Sequence, residues 1–168
     1  MIGNSITRHP PLPSIGWTGD WGMAASSREK DFAHLTGAAL GLPVTAINAV
    51  QLENDPQAPV PQFPVDAQTV VIVALGDNGL PAKYADLLAS VNHGAALLCM
   101  STYWTAQARD AVIKAECEKA GGRFVFVGNI YWGRLDDTSP WPSPVIQAHP
   151  YDWSMARIAE RMVAALNR

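Results

Sequence analysis

The sequence predicts an α/β fold in which a parallel sheet of about five strands lies between helices. Short apolar runs alternate along the chain with segments of helical periodicity, and this alternation is typical of parallel sheets. The run TVVIVAL at residues 69–75 is apolar throughout, as expected of a strand that is covered on both faces. With 168 residues, 48% of them hydrophobic, the chain has the size of one globular domain, which we place over residues 1–168.

The strands are expected in order along the chain. The first is reduced to Met1 and Ile2, so either it is very short or the chain begins inside a longer one. Apolar runs then predict strands at residues 44–50 (VTAINAV), 69–75, 95–100 (AALLCM) and 123–127 (RFVFV). The proline-rich residues 54–64 and the irregular residues 128–148 are expected to form loops.

Four helices are expected between and after these strands. The first covers residues 24–40 and stops at Gly41, the second covers residues 81–91, and the third covers residues 105–120 with Thr105 as its cap. The last helix begins at a capping Asp152. Its apolar residues form one stripe that faces the core: Met155, Ile158, Met162, Val163 and Leu166.

Composition excludes several classes of function. A net charge of −3 and the absence of a basic run argue against nucleic-acid binding and against an anionic membrane surface. No apolar stretch approaches the roughly 18 residues of a membrane span, so we expect no membrane insertion. Cys99 and Cys117 lack metal-ligand spacing and are expected to be buried free thiols, with a bridge between them as the alternative.

Three polar segments adjoin strands of the predicted sheet. Ser5 follows the first strand, Asn78 follows the strand at residues 69–75, and His149 ends the loop that leaves the strand RFVFV. Ligands of open parallel sheets bind outside the carboxyl ends of the strands, so we expect these three side chains to lie together. A neutral histidine near pH 7 activates a serine hydroxyl, and an amide beside the backbone N–H of Ser5 stabilises an oxyanion. This set of groups predicts acyl transfer.

The same segments resemble a known family. Residues 3–7 (GNSIT) resemble the GDSIT opening block of the SGNH (GDSL-like) hydrolases, with Asn4 where Asp is commoner. Residues 73–78 (VALGDN) resemble the third block, whose Gly-x-Asn supplies an oxyanion asparagine. Residues 149–155 (HPYDWSM) resemble the fifth block, which leads into the terminal helix. The blocks follow the family order from residue 3 to residue 155.

The resemblance implies a three-layer α/β/α fold with a flavodoxin-like sheet, and hydrolysis of an ester, thioester or other acyl group without a cofactor or metal. Carried over to this sequence, Ser5 is the nucleophile, His149 the base and Asn78 an oxyanion donor. The expected substrate is a small-molecule or carbohydrate ester.

Two departures from the family pattern change the expected site. The family places an Asp three residues before the histidine, where this chain has Ile146. We therefore expect a backbone carbonyl in the loop at residues 140–148 to orient His149, with Asp136 or Asp137 as the alternative. Asp152 matches the cap of the following helix and is not assigned to a triad.

The second departure lies in the second block, where Asn48 matches the expected asparagine but no glycine follows it. A backbone N–H of this segment remains a candidate oxyanion donor. Glu53 then lies near the site, or it is a solvated acid of the loop; both interpretations stay open.

Tryptophans lie in the loops on both sides of the predicted site. Trp17 and Trp21 follow Ser5 within a glycine-rich stretch, and Trp132 and Trp141 lie in the loop before His149. They form either an apolar wall for a sugar or acyl group or a packing layer between loops and sheet. The first interpretation favours a carbohydrate ester as substrate.

Two other functions compete with the esterase. The missing Asp and Gly suggest a catalytically silent, SGNH-like carbohydrate-binding domain. A nucleotide-binding domain that uses residues 3–7 as a phosphate loop is disfavoured, because the chain contains neither GxxxxGK[ST] nor GxGxxG.

Overall fold

A five-stranded sheet forms the centre of the computed structural model, which describes residues 1–132 and 139–167. The spatial order of the strands is β2-β1-β3-β4-β5, and every neighbouring pair is parallel. This order is of the flavodoxin-like type and confirms the predicted fold class. The strands are β1 Ile2–Gly3, β2 Ile47–Asn48, β3 Val70–Ala74, β4 Ala96–Met100 and β5 Arg123–Val125.

Helices cover both faces of the sheet. They are α1 Phe32–Leu40, α2 Gln51–Asn54, α3 Tyr84–Val91, α4 Gln107–Lys119, α5 Gly128–Trp132, α6 Pro144–Gln147 and α7 Asp152–Leu166. Val71 and Val73 of β3 pack towards α3 and α4, while the alternating Ile72 and Ala74 pack towards α1 and α7. Because both faces are buried, β3 is apolar at every position.

The first two strands are short. Ile2 pairs with Ile47 on one side and with Val73 on the other. The predicted strand at residues 44–50 is wrong in extent, because β2 pairs only along the two residues of β1. Gly3 ends β1, where a Cβ atom would lie 1.9 Å from Thr7 Oγ1 and 2.8 Å from the carbonyl oxygen of Ala74. This close approach requires glycine before the Asn4-Ser5 turn.

The first helix is shorter than predicted. It begins at Phe32 after Asp31, whose carboxylate accepts the N–H of His34 at 2.7 Å, and ends at Gly41 as expected. The preceding residues are not α-helical, because Ala24 has a φ of 76° and Arg28–Lys30 form only a short 3-10 helix. The predicted cap at Thr105 is also wrong, because Thr105 has a φ of 55° and α4 begins two residues later, at Gln107.

The region predicted as irregular at residues 128–148 contains the short helices α5 and α6. The apolar stripe of α7 is buried at Met155, Ile158 and Met162, as predicted. Asp152 is not the cap of this helix but its first residue, and the cap position is held by Tyr151. The carboxylate instead accepts hydrogen bonds from Ser26 and Lys30 and ties α7 to the loop before α1.

Cys99 and Cys117 form a disulfide, so the prediction of free thiols is wrong. Cys99 lies on the face of β4 that α4 covers, which brings its Cα within 6.0 Å of that of Cys117, well within bonding reach. The general tendency of cysteine to be buried does not reveal such a helix–strand pairing.

Among the described helices, none has the length and apolar character needed to cross a bilayer.

Candidate active site

Ser5 lies at the carboxyl end of β1, in the turn that the sequence predicted as a site. The carbonyl oxygen of Asn4 accepts the N–H groups of Thr7 and Arg8, at 3.0 and 3.1 Å, and so closes one helical turn around Ser5. Asn4 Oδ1 accepts the N–H of Ile6 at 3.0 Å. The hydroxyl of Ser5 is left half-buried at the sheet edge.

His149 lies beside Ser5, with 2.9 Å between Ser5 Oγ and His149 Nε2. On its other side, His149 Nδ1 lies 2.8 Å from the carbonyl oxygen of Val145. A carbonyl only accepts, so Nδ1 carries the ring hydrogen and donates it to Val145. Nε2 therefore presents its lone pair to the hydroxyl of Ser5, as a general base requires. We call Ser5 and His149 the candidate dyad.

The protonation state of His149 suits the same role. Burial lowers its pKa from 6.5 to about 4, and a nearby His9 acts in the same direction, while the hydrogen bond to Val145 opposes both. The imidazole is consequently neutral at pH 7, and its lone pair is free to accept a proton.

The position where the resembled family has an aspartate is filled by a core residue. Ile146 is completely buried and packs with Trp17, Met23 and Ala24. It anchors α6, and the carbonyl group that His149 uses belongs to the neighbouring Val145. Asp136 and Asp137, the alternative orienting groups, lie outside the described residues.

Asn78 is linked through Glu53 to Asn4, the residue before Ser5. Asn78 Nδ2 donates to Glu53 Oε2 at 2.6 Å, and Glu53 Oε1 accepts from Asn4 Nδ2 at 3.2 Å and from the N–H of Gly76 at 2.5 Å. A carboxylate accepts only, so these contacts fix the amide of Asn78 with its nitrogen towards Glu53. The second hydrogen of that nitrogen remains to be donated. Glu53 thus holds the residues around the site together.

Asp77 is a second carboxylate in this network. It accepts from Asn4 Nδ2 at 3.3 Å and from the N–H of Tyr103 at 2.7 Å. Burial raises its pKa from 3.8 to about 6; the hydrogen bonds oppose this rise, and the charge of Glu53 adds to it. Asn4 therefore donates to two carboxylates, which explains why a carboxamide suits position 4.

Asn48 supports the turn that carries Ser5. Its Nδ2 donates to the carbonyl oxygen of Arg8 at 2.8 Å, and its Oδ1 accepts the N–H of Val50 at 3.0 Å. The N–H of Ala49 donates to Gly3 at 2.7 Å. The backbone N–H groups of Ala49 and Val50 are thus occupied. These two residues therefore do not supply the oxyanion donor that the sequence suggested for this segment.

The tryptophans divide into packing and exposed residues. Trp17 is completely buried, stacks edge-on against Trp21 and Trp141, and donates to the carbonyl oxygen of His9, so its proposed contact with substrate is wrong. Trp21 is half-buried and donates to Ala25. Trp132 is 68% exposed and is the most exposed of the four.

Sequence reasoning missed Trp104. Its ring lies edge-on to that of His149, with centroids 5.3 Å apart, and its indole N–H donates to the carbonyl oxygen of Ala148 at 3.1 Å. Residues 101–104 follow β4 directly, at the same carboxyl edge as Ser5, and this position was the signal that could have identified it.

Within residues 1–132 and 139–167, no three His, Cys, Asp or Glu side chains are grouped so as to hold a metal ion. A cavity of about 400 Å³ opens at the amino ends of the strands, where Met1, Val44, Thr69 and Val70 contribute to its wall; the candidate dyad does not line it. Comparison of the chain with protein-family models, curated proteins and solved structures gave no match.

Proposed function

We propose that this protein is a serine esterase in which Ser5 is the nucleophile and His149 the base. The observation that carries the proposal is the contact of 2.9 Å between Ser5 Oγ and a His149 ring whose tautomer is fixed by Val145. The resemblance of three sequence blocks to those of SGNH hydrolases supports it independently.

In the acylation step, His149 Nε2 takes the hydroxyl proton of Ser5 while Oγ bonds to the carbonyl carbon of the ester. The carbonyl oxygen becomes an oxyanion. When the tetrahedral intermediate collapses, the bond between the carbonyl carbon and the alkoxy oxygen breaks, and the alkoxy oxygen receives the proton from Nε2. An alcohol leaves, and an acyl group remains on Ser5.

In the deacylation step, a water molecule replaces the alcohol. His149 Nε2 takes one water proton, and the water oxygen bonds to the acyl carbon. Collapse breaks the bond to Ser5 Oγ, which regains the proton from Nε2, and releases a carboxylic acid. The two steps balance without a cofactor.

The oxyanion is assigned to two donors. Ser5 lies outside the helices and strands, and its N–H donates to no acceptor among the described residues. This N–H belongs to the residue that attacks the ester. The second amide hydrogen of Asn78, whose orientation Glu53 sets, is the other donor. Removal of one such donor from a serine hydrolase lowers kcat by about 10²–10³.

The substrate is proposed to be a small-molecule or carbohydrate ester. The exposed ring of Trp132 offers a flat apolar face on which a sugar or an acyl chain can stack. Among the tryptophans first considered for this contact, Trp17 no longer qualifies because it is buried.

A chromogenic acetyl ester tests the proposal. We expect turnover by the wild-type chain, and a loss of at least about 100-fold in Ser5→Ala and His149→Ala. Ser14→Ala and His93→Ala, at exposed positions outside the site, are the matched controls and retain activity. Absence of turnover in a folded wild-type chain would favour the catalytically silent carbohydrate-binding domain instead.

A further inference from the structure

Trp104 contacts the candidate base, His149, directly. Its ring meets that of His149 at an interplanar angle of 86° with centroids 5.3 Å apart, and its Nε1–H donates to Ala148, the residue before His149. One side chain thus contacts both the imidazole and the backbone that carries it.

The turn that presents Trp104 is held in an unfavourable conformation. Thr105, which is β-branched, has a φ of 55°, in the left-handed region that such residues rarely adopt. Strain of this kind persists where the surroundings enforce it, and it clusters at functional sites. Thr105 Oγ1 donates to the carbonyl oxygen of Gly128 at 3.1 Å and helps to enforce it.

The carboxylate of Asp77 binds the backbone of the same turn. Its Oδ1 accepts the N–H of Tyr103 at 2.7 Å and that of Trp104 at 3.4 Å. Asp77 follows β3 and Trp104 follows β4, so a carboxylate at one strand end fixes the backbone at the next. The indole is therefore anchored at its N–H, at its ring and at its backbone.

We propose that Trp104 is a positioning residue for His149, and that Asp77 acts through it. The inference rests on the proposed function. A dyad without a carboxylate at Nδ1 needs other contacts to hold its imidazole in line with Ser5 Oγ, and the edge of the indole, together with the bond to Ala148, provides them. The ring also covers one side of the imidazole and keeps water from it.

Among the residues that the structure describes, few charged groups face this imidazole. His9 approaches it from the segment after Ser5, and the neutral carbonyl of Val145 faces it from α6. The carboxylate of Asp152 on α7 is turned to Ser26 and Lys30. Opening the side that Trp104 covers should therefore return the pKa of His149 towards its ordinary value, because the effect of burial is relieved.

The test is an NMR titration of His149 in Trp104→Ala, with the signal assigned by its loss in His149→Ala. We expect the pKa of His149 to rise by roughly one to two units from its wild-type value, and the acid limb of kcat/KM to move by the same amount. The matched control is Trp141→Phe, which loses a similar bond from a half-buried indole to the carbonyl oxygen of Ala24 and leaves the pKa of His149 in place. An unchanged pKa in folded Trp104→Ala overturns the proposal.

Trp104→Phe decides the question if the alanine variant does not fold. It keeps an aromatic ring and loses the bond to Ala148, so we expect kcat to fall by roughly tenfold with KM unchanged. An unchanged kcat contradicts the positioning role. The titration needs no substrate, so it judges Trp104 even if the wild-type chain hydrolyses no ester, an outcome that would count against the proposed function alone.

Discussion

The Nδ1–H of His149 donates to the carbonyl oxygen of Val145, four residues earlier in the chain, at 2.8 Å. In a continuing α-helix that carbonyl would accept the N–H of His149, but this N–H bonds to Ile146 instead, at 2.9 Å. The end of α6 thus leaves one carbonyl without its helical partner, and the imidazole takes it. A backbone dipole occupies the place of the acid in a triad, and it fixes the tautomer without adding a charge.

The pH dependence of kcat/KM should follow the lowered pKa of His149. Because burial lowers the pKa of His149 to about 4, the base stays neutral well below pH 6.5. We expect kcat/KM to be independent of the state of His149 from pH 6 to 8 and to fall about tenfold per unit below pH 4. A pH–rate profile with the acetyl ester checks this. An acid limb near pH 6.5 would mean that water reaches the imidazole.

Asp152→Ala should affect stability and spare catalysis. Its carboxylate accepts from Ser26 N–H, Ser26 Oγ and Lys30 Nζ at 2.8, 2.7 and 2.9 Å, and it does not contact the imidazole. We expect the free energy of unfolding to fall by about 1–2 kcal/mol, measured with urea, and kcat to stay within about threefold of wild type.

The same assay tests the alternative orienting acids. Asp136→Ala and Asp137→Ala should also lower kcat far less than His149→Ala does. If either variant is as inactive as His149→Ala, a carboxylate orients the base and the dyad is a triad.

Asn4→Asp should destabilise the protein in a pH-dependent way. Asn4 Nδ2 donates to both Glu53 and Asp77, so an aspartate there would place three carboxylates together. The raised pKa of Asp77, about 6, means that its own contribution to stability is present below pH 3.8 and is lost as pH rises through 6. We expect a loss of about 2 kcal/mol at pH 7 and a smaller loss at pH 5, measured by urea unfolding. An equal loss at both values would contradict the role given to the network.

Trp17 and Trp132 should behave in opposite ways. Trp17 is completely buried, so Trp17→Ala should lower the free energy of unfolding by about 3–5 kcal/mol. Trp132 is 68% exposed, and Trp132→Ala should change the free energy of unfolding by less than about 0.5 kcal/mol. On an ester of a sugar, Trp132→Ala should raise KM. A KM that stays unchanged on several such esters argues against stacking at Trp132.

The sheet and the contact between Ser5 and His149 could be predicted from the sequence, because both depend on local patterns. Buried strands are apolar, and the ends of parallel strands share an edge, so Ser5 and His149 could be placed together. The contact of Trp104 with His149 could not be predicted, since it depends on a turn in which Thr105 adopts a conformation that threonine disfavours. The pairing of Cys99 with Cys117 likewise depends on how α4 lies across β4.

A fluorophosphonate probe, followed by mass-spectrometric mapping of the modified residue, reports whether Ser5 is a nucleophile activated by His149. We expect an adduct on Ser5 in the wild-type chain, none on that residue in Ser5→Ala, and much slower labelling in His149→Ala, because the hydroxyl then lacks its base. No adduct on a folded wild-type chain, or an adduct on another serine that persists in Ser5→Ala, would contradict this role of Ser5.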